Sequence, residues 1–149
     1  MDKLNLPAYK FRISGAKKNN LLIFDAFRKK FISLTPEEWV RQHILRFLTE
    51  EKNVPEALVS VEAGININKL AKRYDALIYG RSGNPWMIVE CKAPSVAINQ
   101  SVFDQVVAYN QTVRAKYILV TNGLKHYCCD MSSSNQQVQF LNDIPDFGD

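Results

Sequence analysis

The stretch RYDALIYGRSGNPWMIVECKAP, residues 73–94, holds two apolar runs around a turn. Arg73 to Tyr79 and Trp86 to Lys92 have the length and the aromatic and β-branched content of strands. Gly80-Arg-Ser-Gly-Asn-Pro85 supplies the turn residues between them. A turn centred between Ser82 and Gly83 sets Asp75 opposite Glu90, Leu77 opposite Ile88, and Tyr79 opposite Trp86. Cross-strand partners project from one face, and so do residues two apart along a strand. Asp75, Glu90 and Lys92 therefore converge, provided that no bulge intervenes. The opposite face carries Tyr74, Ala76, Ile78, Met87, Val89 and Cys91, while Leu77 and Ile88 lie beside the charges. Strands apolar on both faces belong in the middle of a covered sheet.

Downstream of this pair, Ser101 to Val113 has helical spacing, and Tyr117 to Thr121 is a buried strand closed by Asn122-Gly123. His126 to Asp130 and Val138 to Leu141 form a last pair of strands around the polar run 132–137. Upstream, Leu58 to Val61 is a short strand, and Gly64 to Asn68 carries a weaker strand signal. Thr35-Pro36-Glu37-Glu38 starts a helix: Thr35 caps, Pro36 fits the first helical position, and Glu38 stands three past the cap. Val40, Ile44, Leu45, Phe47 and Leu48 continue it to about Glu50–Asn53, before Pro55. Tyr9 to Ser14 and Leu21 to Phe24 flank the turn-rich Gly15-Ala-Lys-Lys-Asn-Asn and read as a hairpin. The expectation is one domain over 1–149: a hairpin at 9–32, a core at 35–130, then edge strands and tail at 131–149. Its class is α/β of the α+β kind, a mixed sheet flanked by helices with an N-terminal β-hairpin.

Composition narrows the function classes. The 149 residues are 46% hydrophobic and 23% charged, as in a water-soluble globular chain. No apolar run approaches a membrane span, and MDKLNLPAYK lacks the apolar stretch of a signal peptide. Cys91, Cys128 and Cys129 make neither a disulfide framework nor a zinc motif, and they fit buried thiols in a reducing cytoplasm. A net charge of +4 leans mildly towards polyanionic partners. Lys17, Lys18, Arg28, Lys29, Lys30, Lys69, Lys72 and Arg73 are candidates for a nucleic-acid backbone surface. His43 and His126 read as surface or boundary residues, and Arg41 either meets a site carboxylate or faces solvent.

Two carboxylates on one covered face are costly unless paired or bound to a metal. Their hard oxygens suit Mg²⁺ or Mn²⁺, and a lysine beside them can orient water and stabilise developing charge. Spacing alone leaves a structural ion pair equally open.

Tyr74-Asp75-Ala-Leu-Ile-Tyr79 followed by Trp86-Met-Ile-Val-Glu90-Cys-Lys92-Ala-Pro94 resembles the core of PD-(D/E)XK nucleases. Phe24 through Arg28-Lys-Lys-Phe-Ile-Ser-Leu-Thr-Pro-Glu-Glu-Trp-Val-Arg-Gln42 resembles small relatives of the type I restriction enzyme R subunit N-terminal domain. The resemblance implies a restriction-endonuclease-like fold, a DNA partner, Mg (or Mn) as cofactor, and endonuclease chemistry with Asp75, Glu90 and Lys92 as catalytic residues. It also implies a glutamate of the first core helix facing the metal. With Val40 at 0° and about 100° per residue, Glu37 falls within the apolar stripe and Glu38 at its edge. Glu37 is thus the metal-facing candidate beside Asp75 and Glu90, and Glu38 the capping-box residue. Gln105-Val-Val-Ala-Tyr109 resembles the QxxxY motif of RecB-like nucleases, whose pair supports the site and the nucleic-acid backbone. Tyr74 stands where the strict motif has proline. No GxxxxGK[ST] run occurs, so the ATP-driven helicase motor of a complete R subunit is not in this sequence. Nucleases of this kind often form a homodimer to cut two strands. A nuclease fold kept as an inactive DNA-binding or assembly module is the alternative.

Overall fold

The computed structural model describes residues 1–15, 19–61, 64–67, 70–133 and 138–148, with the backbone course alone for 64–67 and 70–73. Three short strands come first: β1 (Ile13–Ser14), β2 (Leu22–Asp25) and β3 (Lys30–Ser33), antiparallel in that order. The expected hairpin is therefore a three-stranded sheet. Its second turn is built by Asp25, fully buried, whose Oδ1 accepts from the backbone N–H of Phe27 (2.8 Å) and Arg28 (3.1 Å). Lys29 closes the turn at φ 54°. The turn expected at 15–20 lies partly outside the described residues.

Helix α1 (Pro36–Glu51) starts as its sequence dictates, with Thr35 Oγ1 accepting from Glu38 N–H at 3.0 Å. After a 3-10 turn come β4 (Val59–Val61), the separate hairpin β5 (Gly64–Ile67) and β6 (Leu70–Arg73), then β7 (Ala76–Tyr79) and β8 (Pro85–Cys91). Helix α2 (Gln100–Val113) leads to β9 (Tyr117–Thr121), β10 (His126–Asp130) and β11 (Gln139–Leu141). The main sheet has the order β11-β10-β9-β8-β7-β4, with β8 and β9 parallel and the other pairs antiparallel. A parallel pair needs a crossover, and α2 supplies it. Asn99 caps α2 at its start. At its end Arg114 takes the left-handed conformation, and the Asn110 side chain bonds Ala115 N–H and C=O.

Both sheet faces are covered, as the apolar runs require. Val40, Ile44, Leu45 and Leu48 of α1 pack on Ala76, Ile78, Met87, Val89 and Cys91. Phe103 and Val106 of α2 pack on Leu77, Ile88, Ile118 and Val120. Among the described residues no helix is long and apolar enough to cross a membrane.

Three expectations are corrected here. Leu77 does pair with Ile88, but the register shifts after Ile78, so Tyr79 faces Pro85 rather than Trp86. The turn bonds Gly80 N–H to Asn84 C=O (2.7 Å) and Gly83 N–H to Gly80 C=O (3.0 Å) draw in the extra residue. The bulge sits at the turn, so the other end of the pair keeps its register. Secondly, Arg73 to Tyr79 is not one strand. The chain leaves the ladder at Tyr74-Asp75, and Tyr74 packs with Leu77 and Ile88 instead of with Ala76 and Ile78. Thirdly, His43 is buried. Its Nδ1 meets Trp39 C=O at 2.8 Å, and its ring lies against Phe11 and Trp39.

Candidate functional site

Asp75 leads into β7 and is 8% exposed. Its Oδ2 accepts from the Cys91 backbone N–H at 2.6 Å. A side chain thus takes a bond that a backbone carbonyl would take in a continued ladder, which fixes the carboxylate at the end of β8. Glu90, half-buried on β8, is hydrogen-bonded to Asp75 through its carboxyl. Burial first, then that bond and the Asp75 charge, push Glu90 up to about 9. Glu90 therefore keeps its proton at neutral pH. Lys92 follows β8, with its backbone N–H bonded to Thr121 C=O at 2.8 Å, and its charge pulls Glu90 downward in part.

Glu37 of α1 reaches the same centre. Its pKa is raised by burial and then by the Asp75 charge, while Lys92 and Arg41 lower it. Glu38 turns elsewhere. The Thr35 half of the capping box is made, but the Glu38 carboxylate accepts from Gln42 Nε2 (2.9 Å) and pairs with Arg41 (3.1 Å) and Arg28 (3.3 Å). Arg28 also clamps Asp25 at 2.6 Å, so it is committed to this network rather than to an open basic surface. Arg41 Nη2 lies 3.6 Å from Asp75 Oδ1. Alternating charges thus run from Asp25 through Arg28, Glu38 and Arg41 to Asp75. Sequence reasoning missed this line of contacts, although the i, i+3 spacings of Asp25–Arg28 and Glu38–Arg41 hinted at it.

From the other side, α2 brings Tyr109. It is buried, and its hydroxyl pKa is raised by burial and by the Glu90 charge. Gln105, one turn earlier, is exposed. Lys17, Lys18 and Lys69 lie outside the described residues, as do the side chains of Lys72 and Arg73.

Among the described residues no three His, Cys, Asp or Glu side chains form a group that could hold a metal ion. The pair Asp75–Glu90 remains. Mg²⁺ is commonly held by one or two carboxylates, with water and phosphate oxygens completing its shell. Two hard oxygen donors side by side fit such a cation, and Glu37 feels the Asp75 charge beside them.

A family model described as type I restriction enzyme R protein N terminus (HSDR_N) matches residues 36–145. That span contains Glu37, Asp75, Glu90, Lys92, Gln105 and Tyr109. Among solved structures, the chain is similar to a fragment of an HsdR subunit of a type I restriction enzyme from Vibrio vulnificus YJ016, at 19% identity and a TM-score of 0.51. The similarity covers 75% of this chain and 24% of that one, so the chain spans about a quarter of its length. At that identity the likeness shows the fold, a restriction-endonuclease-like mixed sheet flanked by helices. Curated proteins gave no match.

Proposed function

We propose, for a chain that belongs to the family of type I restriction enzyme R protein N termini, a divalent-metal-dependent phosphodiesterase acting on DNA, centred on Asp75, Glu90 and Lys92. One observation carries this reading. Asp75 and Glu90 stand side by side with Glu37 beside them, so three carboxyls outnumber the two cations, Lys92 and Arg41, that act on them. A purely structural site gains little from that excess, whereas a cation site uses it.

Asp75 and Glu90 are the ligands in this account. Bound there, Mg²⁺ or Mn²⁺ would polarise the phosphodiester and lower the pKa of water. Asp75 is held in place by Cys91 N–H and Arg41, so it presents its oxygens without reorganisation. Lys92 donates to the phosphate oxygens where charge develops. Glu37, with its raised pKa, is matched to accept a proton from the attacking water. Tyr109 steadies the Glu90 carboxylate, and exposed Gln105 meets the nucleic-acid backbone.

The test is strand cleavage over linear, branched and single-stranded DNA with Mg²⁺ or Mn²⁺. Wild type cuts, EDTA stops it, and Lys92→Ala slows it by about 10²-fold or more. Intact DNA across the whole panel defeats the enzyme account. A second reading, an inactive DNA-binding or assembly module, is favoured by the lack of a three-ligand group among the described residues. It predicts salt-dependent DNA binding that Asp75→Ala leaves unchanged.

A further inference from the structure

The basic residues of this chain are not spread evenly. Residues 9–33 hold seven of the nineteen basic side chains and one of the fifteen acidic ones. That acid is Asp25, fully buried and clamped by Arg28 at 2.6 Å. Exposed charge on this segment is therefore positive, with Lys10, Arg12, Lys29 and Lys30 all at the surface.

Between the N-terminal sheet and α1 lies a cleft of about 140 Å³. Phe11, Phe24 and Phe27 supply aromatic walls, and Lys10, Arg12 and Arg46 supply cations. Exposed Glu56 is the one carboxylate among the described lining residues. Two of the cations are held in place by rings. The Arg12 guanidinium sits 4.8 Å from the Phe24 centroid and 5.4 Å from that of Phe31. The Arg46 guanidinium sits 5.2 Å from the Phe11 centroid and 5.6 Å from that of Tyr9. Arg46 already donates to Glu50 Oε1 (3.0 Å) and to Lys10 C=O (3.2 Å), so Arg12, whose cation–π contacts cost it no hydrogen-bond donor, is the pre-oriented fork for a phosphate.

Planar apolar walls with a cationic rim match a nucleotide whose base is unstacked: the ring enters, and the phosphates meet the cations. A base inside a duplex has no free face to offer. The cleft is also tied to the candidate site. Gln42 lines it and donates to Glu38 at 2.9 Å, Glu38 pairs with Arg41 at 3.1 Å, and Arg41 lies 3.6 Å from Asp75.

We propose that this cleft binds an unpaired stretch of DNA and anchors it beside the Asp75–Glu90 centre. The proposal rests on the reading of the chain as acting on DNA, and it adds a site and a preferred strand form.

The experiment is fluorescence anisotropy with labelled oligothymidylate and a blunt duplex of equal length, in EDTA, over a salt series. Without metal, the outcome is independent of cleavage, so an inactive protein still decides it. The single strand binds more tightly than the duplex, and its affinity falls as salt rises. Arg12→Ala, an exposed change, weakens it about tenfold, and Phe24→Leu weakens it about fivefold or more. If Phe24→Leu does not fold, Arg12→Ala alone decides. Equal affinity for duplex, or unaltered binding by these variants, overturns the proposal. So does self-association that Arg12→Ala abolishes when no oligonucleotide binds, which would make the cleft a contact between copies.

Discussion

Glu90→Gln should stabilise the metal-free protein, and more so as pH rises. The native Glu90 carboxyl holds its proton up to about pH 9, against 4.5 for an ordinary glutamate, chiefly because burial disfavours the anion. Between those values the native state binds a proton that the unfolded chain has lost, so the slope of stability with pH is negative. Stability from this group is fully present below 4.5 and is lost as pH climbs towards 9. At pH 7 the rise above 4.5 is two and a half pH units, or about 3 kcal/mol at roughly 1.4 kcal/mol per unit. Glutamine keeps a donor towards Asp75 and does not titrate. Urea unfolding at pH 5, 7 and 8.5 reads the effect directly. The wild-type curve falls relative to that of Glu90→Gln, by about 3 kcal/mol between pH 4.5 and 7. Saturating Mg²⁺ should reverse the wild-type slope, because the cation favours the deprotonated pair. Parallel pH profiles for the two proteins in EDTA would refute the raised Glu90 pKa.

Arg41→Gln takes the arginine from buried Asp75 and leaves Glu38 with Arg28 alone, which should cost about 3–5 kcal/mol in urea unfolding. A loss below about 1 kcal/mol would mean that the pairing is not made in solution. Tyr109→Phe removes a hydroxyl beside Glu90, and should slow cleavage about ten- to a hundredfold with circular dichroism unchanged. Leu45→Ala, at a fully packed position of α1, should lower stability by about 2–5 kcal/mol in the same unfolding assay.

The pairing of Leu77 with Ile88 was legible because alternation and a glycine-rich turn leave few registers. The helical stripe put Glu37 inward and Glu38 at its edge, whereas Glu38 is buried and Glu37 half-buried. The bulge at Tyr79 was not legible, because it depends on which backbone groups of Gly80, Gly83 and Asn84 meet. The break at Asp75 was hidden too, since a side chain replaces a backbone acceptor without changing the apolar pattern. Glu38 misled because its spacing satisfies a cap motif, while two distant arginines offered its carboxylate stronger partners. Strand β3 was obscured by Arg28-Lys-Lys, whose charges disguise the pairing of Phe31 with Phe24. His43 looked like a boundary residue because its aromatic neighbours Tyr9 and Phe11 come from a distant part of the chain.

The most direct measurement of the central claim is a calorimetric titration of metal-free protein with Mn²⁺ in two buffers of different ionisation enthalpy. The account predicts one site and release of about one proton, as the cation displaces the proton held by Glu90. Asp75→Asn should abolish that binding. Absence of binding to wild type, or unaltered binding and proton release in Asp75→Asn, would contradict it.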